Sequence, residues 1–167
     1  QISFKVLECL GVNKKSFKKE LNNYVGLPHR QELIFKSKKL IIINDSKATN
    51  IESMITAIKN YKNIYLICGG ILKDRNLSII KPYFKKIKKV YVTGLETDFL
   101  VNFFNKKNKV FTSSKLSEII EHCFNDVYLS KNATILFSPG AASFDQYHNF
   151  EHRGETFKKL IFKKMKK

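Results

Sequence analysis

Arginine is scarce in this chain. It stands only at Arg30, Arg75 and Arg153, although lysine and arginine together number 31 against 14 acidic residues and leave a formal net charge of +17. A basic field attracts phosphate polymers, but arginine leads the residues that read bases and clamp phosphates in a rigid fork. Its scarcity argues against a specific nucleic-acid groove. The charge is lysine, scattered in runs such as Lys14-Lys15, Lys85-Lys86, Lys88-Lys89 and Lys163-Lys164. With the surplus of Ile, Asn, Phe and Tyr, it reads as compositional drift on solvated faces that supports weak, salt-sensitive polyanion binding.

Long hydrophobic runs are missing too, so no membrane span is expected. The spacing of Gly, Lys and Ser/Thr that makes a P-loop occurs nowhere. The amino end, Gln1-Ile2-Ser3-Phe4-Lys5, has no initiating Met, no basic cluster ahead of an apolar core and no small-residue cleavage site. It reads as a cut through a longer protein, not as a signal peptide. Cysteine is limited to Cys9, Cys68 and Cys123, an odd and widely spaced set on expected apolar faces. That predicts reduced, buried thiols of a cytoplasmic protein, with neither a disulfide framework nor a metal site. His148 and His152 are spaced for one helical face, but Asn149 stands where a metalloprotease helix needs glutamate, and no metal ligands are assigned. No Ser, His and Asp set presents itself as a nucleophilic triad, and there is no internal repeat or low-complexity linker.

What is present is alternation. A content of 43% hydrophobic residues over 167 positions suffices for one ordinary domain with a fragment of another attached. Two short helices are expected over 2–10 and 16–24, the first stopped by Gly11 and the second capped by Asn13, before Gly26-Leu27-Pro28 breaks the pattern. Strands over 33–35 and 40–43 form a hairpin around Ser37-Lys38. Strands over 64–68, 90–93, near Val110 and over 134–137 then alternate with helices from Ile51, over 77–84, 98–104 and 116–129, and from Phe150. The expected fold class is α/β: a Rossmann-like, mostly parallel sheet with helices on both faces, preceded by a short helical remnant of another domain.

In such sheets ligands bind outside the carboxyl ends of the strands. The segment there after 40–43 is Asn44-Asp45-Ser46-Lys47-Ala48-Thr49-Asn50. Capping the next helix, with its apolar Ile51, Met54, Ile55 and Ile58, needs only Asn50 or Thr49. Asp45 and Lys47 are surplus to that task. The other two polar rim segments are 69–73, where Gly69-Gly70 allows close backbone approach ahead of Lys73, and 138–143, a small-residue loop whose amides suit an anion. Each also has a plainer reading, as a tight strand-to-helix connection and as a buried turn under the last helix. Arg153 is expected to pair with a carboxylate. The loops after Thr93 and Phe111 carry little signal.

Leu27-Pro28-His29-Arg30, the 44–50 block, Gly69-Gly70 with Lys73, and Ser138-Pro139 through Ala142-Ser143-Phe144-Asp145-Gln146 with Phe150 and Arg153-Gly154 occur in that order. Together they resemble the Mur ligases, and within that family its D-glutamate-adding branch. The resemblance implies that residues 27–167 are the carboxy-terminal, amino-acid-binding domain and that residues 1–26 end the central ATPase domain. It implies ATP-dependent amide formation in peptidoglycan precursor synthesis: the carboxylate of UDP-N-acetylmuramoyl-L-alanine is phosphorylated, the amine of D-glutamate attacks the acyl phosphate, and ADP and phosphate leave.

By motif position, the resemblance assigns D-glutamate to Thr49, Lys73, Ser143, Phe144 and Phe150. It assigns the nucleotide to His29, Arg30, Asp45 and Lys47. ATP and Mg would be bound mainly by the central domain, whose P-loop, magnesium ligands and modified lysine this chain lacks, so the chain alone is expected to be inactive. The implied partners are those substrates and the rest of its own chain in the cytoplasm. Asp74-Arg75-Asn76 departs from relatives that place an acidic residue further along that loop, and Phe144 replaces a common leucine. The nearest rival is another Mur ligase or a folate polyglutamate ligase, against which the Ser143-Phe144-Asp145 block argues. A basic polyanion-binding module is the rival from another class.

Overall fold

The computed structural model describes residues 2–24 and 26–166; Gln1 and Val25, in the expected helical remnant, and Lys167 lie outside the described residues. The elements in chain order are α1 (Ile2–Cys9), α2 (Lys14–Asn23), β1 (Glu32–Lys36), β2 (Leu40–Asn44), α3 (Ile51–Asn60) and β3 (Ile64–Cys68). After a 3₁₀ segment, Leu77–Lys86, come β4 (Ile87–Val92), α4 (Thr97–Phe104), β5 (Lys109–Thr112), α5 (Leu116–Tyr128), β6 (Ala133–Phe137) and α6 (Phe150–Met165). This is the expected α/β order with one change of type. The helix over 77–84 is 3₁₀ because it contains Pro82, which has no N–H to donate and crowds the carbonyl one turn back.

The strands lie in the order β1-β2-β6-β3-β4-β5. Only the β1–β2 hairpin is antiparallel, and every other pair is parallel. The hairpin turn is fixed by Ser37, whose Oγ accepts from the amides of Lys39 at 3.2 Å and Leu40 at 3.1 Å. Side chains alternate between two cores, as the period of a strand demands. On one face Ile43, Leu66, Val90, Val92 and Leu136 pack with Met54 and Ile58 of α3, Ile80, and Leu100 and Phe104 of α4. On the other, Ile42, Ile67, Tyr91, Ile135 and Phe137 meet Ile119 and Cys123 of α5 and Phe157 and Ile161 of α6. Each large apolar side chain buried in this way contributes about 1.5–3 kcal/mol. Strands β3 and β6 are buried along their whole length, which explains why they read as unbroken apolar runs.

The topology makes the rim. The crossover from β2 to β3 skips one position, and β6 returns from the far side to fill it. The carboxyl ends of β2, β6 and β3 are therefore neighbours, at the place in an open α/β sheet where ligands bind.

The two leading helices pack on each other through Phe4 and Phe17, with ring centroids 5.1 Å apart. No residue of α2 is buried. Cys68 and Cys123 are buried free thiols as expected, but Cys9 is exposed, because the sheet does not cover its face of α1. No helix among the described residues is long and apolar enough to cross a membrane.

Candidate functional site

Strand β2 delivers Asn44 and Asp45 to the rim as buried polar side chains. The Asp45 amide donates to Phe137 O at 2.7 Å, extending the ladder with β6 by one residue. Its Oδ1 accepts from the Gln31 amide at 3.1 Å and its Oδ2 from Ser138 Oγ at 2.7 Å. Burial pushes the Asp45 carboxyl up to about 6, opposed by those two donors and the nearby Arg30 charge. Asn50 takes the cap of α3 by accepting from the Ser53 amide at 2.9 Å, so the cap makes no demand on Asp45 or Lys47. Lys47 Nζ lies 3.6 Å from the centroid of the Phe150 ring. Arg30, Gln31, Asp45, Lys47, Ala48, Ser53 and Thr56 line a depression of about 220 Å³.

His29 does not line that depression. Its backbone is left-handed at φ 62°, its side chain is buried, and its Nδ1 lies 2.9 Å from Asn44 Nδ2. An amide nitrogen only donates, so Nδ1 is the acceptor of this contact, while Nε2 lies 3.6 Å from Glu155 Oε1. A Cβ at Gly154 would come within 2.2 Å of Nδ1, which is why glycine follows Arg153. The contribution of His29 to the loop is its carbonyl, which accepts from the Lys47 amide at 2.9 Å.

The close approach made possible by Gly69-Gly70 is to the protein's own backbone. A Cβ at Gly69 would lie 1.8 Å from Thr93 O and one at Gly70 2.2 Å from Ala142 O. The Gly69 amide donates to Pro139 O at 3.0 Å, and Ile71 and Ala142 exchange a pair of bonds at 3.0 and 2.8 Å. Lys73 follows this stitch as an exposed side chain. In the third loop Ser143 is buried and Phe144 is 72% exposed. Asp145 Oδ2 accepts from the Leu95 amide at 2.9 Å, and Gln146 Nε2 donates to Ser114 O at 2.8 Å. The loops after β4 and β5, which carry little sequence signal, are thereby tied into the rim.

Asn149 caps α6 by accepting from the His152 amide at 2.7 Å. His148 therefore precedes the helix and does not share a helical face with His152, although the two rings stack with centroids 5.3 Å apart. Arg153 is bonded not to the expected carboxylate but to Ser46: Nε donates to Ser46 Oγ at 3.1 Å and Nη2 to Ser46 O at 2.8 Å. Ser46 Oγ in turn donates to Phe150 O at 2.8 Å. Burial pushes the Arg153 guanidinium down to about 10, opposed by Asp145 and Tyr147, so it remains charged at neutral pH.

Of the residues singled out in the sequence, Arg30, Asp45, Lys47 and Phe150 meet at one end of the rim. Thr49 closes the same loop, its amide donating to Lys47 O at 2.8 Å. Ser143 and Lys73 stand on the two neighbouring loops, joined by the Ile71–Ala142 bridge. The link from Arg153 to Ser46 carried no local signal beyond the presence of both residues in the ordered motif. No protein-family model matches the chain. Curated relatives do: it is 40% identical over 162 residues to the UDP-N-acetylmuramoylalanine--D-glutamate ligase of Prochlorococcus marinus (strain MIT 9312), covering 94% of this chain and 35% of that protein. Proteins of the same name are 36% identical in Wolbachia sp. subsp. Brugia malayi (strain TRS) and 37% identical in Rickettsia felis, each over 95% of this chain. The chain spans about a third of the length of these relatives, from 32% to 36%.

Proposed function

We propose that this chain, a domain homologous over nearly its whole length to the Mur-family D-glutamate ligases, is the carboxy-terminal, amino-acid-binding domain of an ATP-dependent ligase. The full-length enzyme joins D-glutamate to UDP-N-acetylmuramoyl-L-alanine through an acyl phosphate. One observation supports a two-substrate cleft above all. Asp45 and Lys47 leave the end of β2 together, Asp45 held by Ser138 at 2.7 Å and Lys47 set over Phe150 at 3.6 Å.

The residues divide by chemistry. Arg30 and Lys47 supply positive charge beside the 220 Å³ depression, where a phosphate or the transferring group gains most from charge already in place. Asp45 accepts from a ribose hydroxyl, and His29 shapes the loop from beneath. D-Glutamate carries two carboxylates, and the matching donors are the Lys73 ammonium with the hydroxyls and amides of Thr49 and Ser143. Phe144 and Phe150 wall its methylenes. The acyl phosphate and the amine of D-glutamate then need only to be held in line for attack, so this domain contributes position more than covalent chemistry.

ATP fits the donor set in part, through a carboxylate for ribose and cations for phosphate. Magnesium ordinarily needs only one or two carboxylates beside substrate phosphates, and among the described residues no group of three or more His, Cys, Asp or Glu is placed to hold a metal by itself. Of the rim carboxylates, Asp45 accepts two hydrogen bonds and Asp145 accepts one from the Leu95 amide. The metal and the main phosphate cradle are assigned to the remainder of the longer protein.

Replacement of Lys73 by Ala in the full-length enzyme is expected to raise the KM for D-glutamate roughly tenfold or more, the scale of losing a charge-assisted hydrogen bond. The KM for the nucleotide-sugar is expected to hold. Unchanged D-glutamate kinetics would remove Lys73 from the site.

A further inference from the structure

Arg153 carries a charge that none of the assigned substrate contacts uses. It is 3% exposed, and its Nη1 is buried with no hydrogen-bond partner. Burying a guanidinium is costly unless its donors are satisfied, and an apolar side chain is the cheaper way to fill such a space. Packing therefore does not account for it. What the side chain does achieve is specific: it grips Ser46 at both the hydroxyl and the carbonyl oxygen, while that hydroxyl donates to the carbonyl of Phe150. Ser46 lies between Asp45 and Lys47, and Phe150 lies under Lys47. A single side chain thus fixes the main chain where the nucleotide-facing residues meet the amino-acid-facing one.

We propose that Arg153 is a positioning residue that couples the two half-sites. By clamping Ser46, it sets Asp45 and Lys47 against Phe150, so that nucleotide bound on one side favours D-glutamate on the other and, by linkage, the reverse. The inference rests on the two-substrate reading of the cleft. The fork geometry is essential to it, because Nε and Nη2 serve the two Ser46 oxygens at once. Lysine keeps the charge and offers no such planar pair.

The test uses the full-length ligase with UDP-N-acetylmuramoyl-L-alanine present. The dissociation constant for D-glutamate is measured with and without a non-hydrolysable ATP analogue in wild type, Arg153→Lys, Ser46→Ala and the double variant. In wild type the analogue is expected to tighten D-glutamate binding. In both single variants that gain is expected to fall by about fivefold or more, within the range found for directly bonded neighbours, with the double variant no worse than the worse single. Retained coupling in either single, additive losses in the double, or a wild type without coupling overturns the inference, whatever happens to the thermal midpoint. Should Arg153→Lys fail to fold, Ser46→Ala decides alone. The Lys73→Ala variant separates the two levels. Unchanged D-glutamate affinity there overturns the cleft itself, whereas weakened affinity there with intact coupling in Arg153→Lys overturns only the role of Arg153.

Discussion

The Lys47 ammonium sits on the face of the Phe150 ring, 3.6 Å from its centroid, so the loop that ends β2 is joined to the first residue of α6 by a cation–π contact. Such contacts contribute about 0.5–2 kcal/mol depending on desolvation. Phe150→Leu keeps the apolar wall and removes the ring, and is expected to weaken D-glutamate binding several-fold in the full-length enzyme. Phe150→Tyr is expected to stay near wild type. Equal losses in the two variants, measured by titration calorimetry, would show that the ring face has no part in the site.

The Asp45 carboxyl, ordinarily near 3.8, is pushed up to about 6 in the folded chain. The folded state therefore holds this proton more tightly than the unfolded chain. The favourable contribution is complete below pH 3.8 and is lost as the pH rises through 6. Asp45→Asn does not ionise and is expected to be more stable than wild type at pH 7.5, by about 2 kcal/mol, with the difference closing toward pH 4. Urea unfolding at the two pH values measures it. The same substitution is expected to impair nucleotide binding, an instance of a site that costs stability.

Glycine substitutions rank the backbone contacts. At Gly70, with φ 131°, a Cβ would meet Ala142 O at 2.2 Å, whereas at Gly11, with φ 81°, it would meet nothing within 4 Å. Gly11→Ala is expected to cost only the left-handed backbone term, about 1 kcal/mol. Gly70→Ala adds a collision with main chain and is expected to cost about 3 kcal/mol or more. Denaturant midpoints that fall in the opposite order would contradict the stitch between the two loops.

The three thiols differ in reach. Cys9 is exposed and Cys68 and Cys123 are buried, with burial pushing the Cys68 thiol up to about 12 and the Cys123 thiol higher than usual as well. One thiol is expected to react with an alkylating reagent under native conditions, at Cys9, and all three after unfolding. Mass spectrometry of the labelled chain counts them.

Local signals in this sequence were legible and long-range ones were not. Asn13 and Asn50 cap the helices they precede, because capping is decided within four residues. The strand-end loops at 44–50, 69–73 and 138–143 were legible as one rim, because alternation fixes which ends of parallel strands share a side. Their adjacency through β6 is settled only by the strand order, which crossover lengths do not encode. The bond from Arg153 to Ser46 spans 107 positions and that from Leu95 to Asp145 spans 50. Neither partner needs a special neighbour, so no short-range pattern betrays them. Cys9 failed for the converse reason: its helix has an apolar face that the sheet does not cover.

The stitching of the rim has a practical side. Gly69 to Pro139, Ile71 to Ala142, Leu95 to Asp145 and Gln146 to Ser114 are all direct bonds between different loops, so lengthening any one loop would drag its neighbours. The opposite pole has room to spare. Lys38, in the β1–β2 turn, and Lys131, ahead of β6, are exposed at the amino ends of their strands. A fluorophore or surface-immobilisation tag placed at either would leave the rim's wiring untouched and report on the domain as a body, not on the rearrangement of a single loop.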